Sequence, residues 1–168
     1  MVTKDRSGRE SVHVWGWVDG YGCGELHRIR GSHVAASYVE VLEDVLLPSL
    51  EAMRPGGAPF ILQQDNAPQH TARVTKQWIE DHTNDLTVLT WPGKSPDLNV
   101  IENVWALMEQ ELTEEGRGDR PNADELWRRV EQVWDGLRVR TALFDALSGS
   151  MVRRLQSVVE AAGDMTRY

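Results

Sequence analysis

Cysteine is almost absent from this 168-residue chain. Cys23 stands alone, so no internal disulfide can form and nothing points to an oxidising compartment. No apolar run is long enough to span a membrane. The opening residues, MVTKDRSGRES, lack the apolar core of a signal peptide. Basic charge is also in short supply: 18 Lys and Arg face 26 Asp and Glu, a formal net charge of −8. Phosphate neutralisation supplies most non-specific affinity for nucleic acid, so this balance argues against strong DNA binding by the chain alone. Internal repeats and low-complexity tracts are missing. What is present is ordinary globular material, with 40% hydrophobic residues and enough length for one domain with a real core. The seven tryptophans fall mostly on expected strands and apolar helix faces, which assigns them first to packing.

Residues 11–18 alternate Val12, Val14, Gly16 and Val18 against His13, Trp15 and Trp17, the pattern of a strand covered on both faces. Residues 19–24 form a glycine-rich turn and 26–29 a short return strand, giving a hairpin. Ser32 can cap a helix running to about Leu47, with Val34, Tyr38, Val41, Leu42, Val45 and Leu46 on one face and Pro48 at its end. A Pro- and Gly-rich loop follows, then a buried strand at Phe60, Ile61 and Leu62. A helix over 71–82 turns Val74, Trp78 and Ile79 inward, and a second strand over 86–91 stops at Pro92-Gly93. The next helix, 100–115, buries Ile101, Val104, Trp105, Met108 and Leu112. Beyond a charged linker over 114–121, Asn122 caps a helix with Glu125 three residues on. Its apolar face carries Ala123, Leu126, Trp127, Val130, Val133, Trp134 and Leu137. A last helix, about 150–162, groups Met151, Leu155, Val158 and Val159; its Arg153-Arg154 pair reads first as a solvated face, with phosphate contact as the alternative. Residues 1–10 read as loose. His13, His27 and His33 match no standard zinc spacing and read as surface or strand histidines.

The chemistry is concentrated in residues 60–105. The apolar run Phe60-Ile61-Leu62 is stopped by Gln63-Gln64-Asp65-Asn66 and then Pro68, which puts Asp65 just past a strand end. Glu102 falls at the start of the helical pattern that begins near Val100. A carboxylate at a strand end and another on a helix entering from a loop can meet at one edge of a sheet. Two such groups can hold Mg²⁺ or Mn²⁺ through oxygen, and a metal pair held this way serves phosphodiester chemistry. A plainer role is open for Glu102, as a first-turn glutamate complementing the helix dipole.

The blocks QQDNAPQHTA and WPGKSPDLNVIENVW resemble the two signature blocks of Tc1/mariner-type transposases, in order and with similar spacing. The hairpin sequence VHVWGWVDGYGCGELHRIRG and the C-terminal segments RPNADELWRRVEQVW and VRRLQSVVEAAGDMTRY resemble that family too, so the likeness runs over nearly the whole chain. Val100 stands where the family usually has proline, and Met108-Glu109 where Leu-Lys is common. The resemblance implies an α/β fold, an RNase H-like mixed sheet flanked by helices, with extra helices at the C-terminus and a single catalytic domain over 1–168. It implies a DDE or DDD triad holding two Mg²⁺ or Mn²⁺ ions. Asp65 would be the second member, bridging the metals, and Glu102 the third. The activity implied is DNA cleavage and strand transfer at transposon ends.

The family's first catalytic aspartate ends a strand that precedes the hairpin. No strand-like run precedes Ser11 here, and Asp5 and Asp19 stand where the family has no catalytic residue. The expectation is therefore a domain lacking its first catalytic strand, with two of three carboxylates and no activity alone. The competing reading is a non-catalytic remnant or an interaction module that pairs with full-length transposase. Partners expected are DNA, bound weakly, and a second copy or full-length transposase. The place of action is the nucleus for a eukaryotic source and the cytoplasm otherwise. Asn66 and His70 either orient Asp65 or approach a phosphate, or serve only turn and helix-start chemistry. Asp97 and Asn99 can bond loop backbone and set how Glu102 enters the site. Asn103 does likewise or faces solvent.

Overall fold

The structure, a computed structural model, describes residues 10–31, 34–53, 55, 59–93, 95–116 and 121–161. The expectations for residues 1–9, for Ser32 as a cap and for His33 lie outside them. The chain divides into two compact units, Gly31–Asn99 and Met1–Arg30 with Val100–Tyr168. Among the described residues the strands form two separate two-stranded sheets, one within each unit.

β1 (His13–Val18) and β2 (Cys23–Ile29) pair antiparallel, with His13 opposite Ile29 and Val18 opposite Cys23. β2 begins earlier than the sequence suggested because Asp19 makes a tight turn. Its Oδ1 accepts the N–H of Tyr21 at 2.8 Å and of Gly22 at 3.0 Å, so pairing resumes at Cys23. The register slips between Gly16 and Val18, a bulge centred on Trp17. Gly24 lies under that tryptophan: a Cβ there would come within 1.9 Å of Trp17 Cε2.

In the Gly31–Asn99 unit, α1 (Ala35–Val41) runs through a π-helical turn (Leu42–Leu46) into α2 (Leu47–Met53). Pro48 therefore does not end this helix, a correction to the sequence reading. Proline lacks an N–H and clashes with the carbonyl four residues back in a regular helix. The wider π turn, in which Leu47 N–H reaches Leu42 O, precedes it and removes that conflict. Tyr38, Val41, Leu42 and Leu46 are buried as the periodicity predicts, whereas Val34 is exposed. β3 (Phe60–Leu62) pairs parallel with β4 (Leu86–Val88), the connection carrying α3 (Pro68–Thr71) and α4 (Arg73–Asp81). Phe60 and Leu62 are half-buried but Ile61 is exposed, so β3 is covered on one face and not on both. On α4, Trp78 is buried but Val74 is not; Thr75 takes the inward place, its hydroxyl donating to Gln69 O at 2.6 Å. A satisfied buried hydroxyl can displace an apolar neighbour from the core face.

In the other unit, α5 (Val100–Glu115) and α6 (Ala123–Arg138) match the sequence reading closely. Asn122 caps α6 by accepting from the N–H groups of Asp124 and Glu125. α7 spans Thr141–Glu160, so it starts well before Ser150. Val12, Val14, Val104, Met108, Val133, Trp134, Leu137 and Phe144 make one core. Trp134 Nε1 donates to Gly24 O at 2.9 Å and Arg138 Nη2 to the same oxygen at 2.7 Å, which stitches α6 to β2. Trp134 stacks on Trp105 with centroids 5.4 Å apart, and a Cβ on Gly16 would meet both rings, at 3.0 and 3.2 Å. On α7 the apolar grouping is corrected: Leu155 and Val159 are exposed, while Phe144, Ser150 and Arg154 are buried. No described helix is long and apolar enough to cross a membrane.

Candidate active site

Asp65 follows β3 by three residues, and its side chain is 57% exposed. The carboxylate is held without being buried. Oδ1 accepts the N–H of Ala67 at 3.1 Å, a local turn bond, and lies 2.7 Å from Nδ1 of His70. The same Nδ1 is 3.1 Å from the Asp65 carbonyl oxygen. Pro68 opens α3, a place where its missing N–H costs nothing, and that single turn directs His70 back at Asp65.

Asn66 does not reach towards the Asp65 carboxylate. Its Nδ2 donates to Trp91 O at 2.9 Å and pins the loop after β4. Gln63 makes the second tie, from Nε2 to Leu98 O at 3.3 Å and to Asn99 Oδ1 at 3.4 Å. Gln63 and Asn66 of the first block thus meet Trp91, Leu98 and Asn99 of the second within one unit. Asp97 is buried in a single 3₁₀ turn, Pro96–Leu98, immediately ahead of Asn99.

Glu102 and Asn103 belong to the other unit. Glu102 is exposed in the first turn of α5. Asn103 is half-buried, and its Oδ1 accepts from Arg154 Nη1 at 2.8 Å. Arg154, expected on a solvated face, is 3% exposed, with Nε donating to Ser150 Oγ at 2.9 Å. A guanidinium is tolerated there because fixed oxygens meet its donors. Asp19 is committed to the hairpin turn through the two bonds described above.

Three neighbours of Asp65 were not singled out from the sequence: Gln63, Gln64 and Tyr38. Two adjacent amides where an apolar run stops were a usable signal for the first two. Tyr38 gave none beyond being the one hydroxyl on an apolar face. It is 3% exposed, its ring centroid lies 4.4 Å from that of His70, and its hydroxyl donates to Gln64 Oε1. Burial, and after it the Asp65 carboxylate, push the Tyr38 pKa well above its ordinary value, which keeps the hydroxyl a donor.

Asp65 and Glu102 offer exposed carboxylate oxygens, the donor type that Mg²⁺ and Mn²⁺ prefer. Among the described residues no three His, Cys, Asp or Glu side chains converge as a metal cage. A family model described as DDE superfamily endonuclease matches residues 2–123. The chain belongs to the DDE superfamily of endonucleases. Transposases are among its relatives. Identity is 35% over 164 residues with the Tcb2 transposase of Caenorhabditis briggsae and 33% over 163 residues with the Tc1 transposase of Caenorhabditis elegans. Each alignment covers 97% of this chain and 56% of the relative, so the chain spans little more than half the length of the curated relatives it matches. The fold is that of the Mos1 mariner transposase catalytic domain, an RNase H-like α/β fold. That crystal structure superposes with a TM-score of 0.78 at 22% identity, over 93% of this chain and 76% of the other. A pre-cleavage Mos1 transpososome gives 0.81 at 20% identity, over 99% and 48%. The Mos1 domain has been solved with Mg and with Mn.

Proposed function

We propose that this DDE-family chain is the catalytic part of a Tc1/mariner-type transposase, with Asp65 and Glu102 as two of its metal-holding carboxylates. The observation that carries this reading is the pair of ties from Asn66 to Trp91 and from Gln63 to Leu98 and Asn99. They hold the loop leading to Glu102 beside the loop carrying Asp65.

Asp65 and Glu102 would hold Mg²⁺ or Mn²⁺. Such ions, when bound, favour ionisation of the attacking hydroxyl and stabilise the leaving oxygen in phosphodiester cleavage and joining. The protein's own part is orientation. Ala67 N–H and His70 fix one oxygen of Asp65, and the first turn of α5 carries Glu102 into solvent. The substrate under this reading is DNA at transposon ends. With a net charge of −8, binding by this chain alone should be weak and should fall steeply with salt.

Iron-directed backbone cleavage tests the site without requiring turnover. Fe²⁺ replaces Mg²⁺, and ascorbate with peroxide generates hydroxyl radicals that cut the polypeptide near the bound ion. Cuts are expected beside both residue 65 and residue 102, suppressed by excess Mg²⁺ and lost in Asp65→Asn. Cuts beside only one of the two positions would overturn the shared site.

A further inference from the structure

The imidazole of His70 presents one nitrogen to two acceptors. Nδ1 lies 2.7 Å from Asp65 Oδ1 and 3.1 Å from the Asp65 carbonyl oxygen. Neither oxygen can donate, so Nδ1 must carry the proton. That N–H bridges the backbone and the side chain of one residue. Together with Ala67 N–H on Oδ1 it opposes rotation of the carboxylate. Among the described residues Oδ2 has no partner, so it is the oxygen left for a ligand.

Something must in turn hold His70, because α3 is a single turn with no buried residue of its own. Tyr38 supplies the wall. Its ring is tilted 43° against the imidazole, and it sits on the buried face of α1. Its hydroxyl donates to Gln64, the residue preceding Asp65. A phenylalanine would fill the same space; the hydroxyl is needed only for the Gln64 contact. One buried side chain thus braces the residues that flank and clamp the carboxylate.

We propose that Tyr38 is a positioning residue for Asp65, acting through the Nδ1–H of His70 and through Gln64. This rests on reading Asp65 as a metal ligand. Groups that orient a ligand typically alter metal affinity by about 10- to 100-fold when removed.

The test uses the full chain with two readouts. The first is the His70 tautomer, from ¹⁵N shifts of the ring in labelled protein, with the signal assigned by its loss in His70→Asn. The Nδ1–H form is expected in the wild type, and the Nε2–H form would overturn the clamp. The second is Mn²⁺ affinity, from the electron paramagnetic resonance of free ion. Tyr38→Leu and His70→Leu should weaken it by about 10-fold. His70→Asn, whose amide can donate to Oδ1, should restore most of the loss. Tyr38→Phe keeps the ring and the fold, so it should hold the tautomer and show a smaller loss. Wild-type Mn²⁺ affinity in Tyr38→Leu and His70→Leu, alongside abolished binding in Asp65→Asn, would overturn the positioning role. Unchanged binding in Asp65→Asn would instead overturn the metal-ligand reading, while the tautomer still decides the clamp.

Discussion

Arg154 Nη1 donates to Asn103 Oδ1 at 2.8 Å, joining α7 to the residue that follows Glu102. The pair lies 51 positions apart in sequence, and the arginine is buried. Removing the asparagine leaves a buried cationic donor short of an acceptor. Asn103→Leu should therefore lower the unfolding free energy by about 1–3 kcal/mol. Arg154→Met should destabilise as well, and the double variant should cost less than the two singles added together. Urea unfolding of the four proteins checks this; strict additivity would show that the contact carries no energy.

The ties that bracket Asp65 are one hydrogen bond from Asn66 and two long ones from Gln63. Gln63→Leu and Asn66→Ala should each cost about 0.5–1.5 kcal/mol. The effect should be local. Amide exchange over residues 89–99 should accelerate while protection in α6 and α7 holds. Uniform acceleration throughout the chain would contradict a local tie.

Gly24 lies against the ring of Trp17, with no room for a methyl group. Gly24→Ala should destabilise by about 1–3 kcal/mol or more, as overpacking does. The double variant Gly24→Ala/Trp17→Ala should cost less than the two singles added together, because the clash is gone. A double-mutant cycle by denaturant unfolding gives the coupling, and a value near zero would place the ring elsewhere.

Cys23 is a buried thiol whose pKa is pushed up to about 12 by burial, with Arg138 pulling the other way. The ordinary value is 9.0. Between these values the unfolded chain releases the proton and the folded chain keeps it, so the folded state binds more protons. Stability from this group is full below pH 9.0 and is lost as pH rises towards about 12. Unfolding free energies at rising alkaline pH should fall more steeply for the wild type than for Cys23→Ala. Equal slopes would remove the thiol as the cause.

Elements whose signals are local were legible from the sequence alone. α5 and α6 follow apolar periodicity, and Asn122 closes its own helix start. The same local signals misled wherever distant contacts outweighed them. Pro48 reads as a stop, yet a π turn carries the helix past it. The last helix reads as starting near Ser150, yet α7 begins at Thr141, with Phe144 and Arg154 buried on it. Periodicity says which residues share a face but not which face is covered, and polar residues enter a core only when a partner waits there. Those partners are invisible in the sequence: Asn103 for Arg154, Gln69 O for Thr75, and His70 with Gln64 for Tyr38. The sequence alone determined which carboxylates the chain offers. Only the tertiary structure decided what holds one of them still, because Tyr38 and Gln64 stand 26 positions apart and meet through the packing of α1.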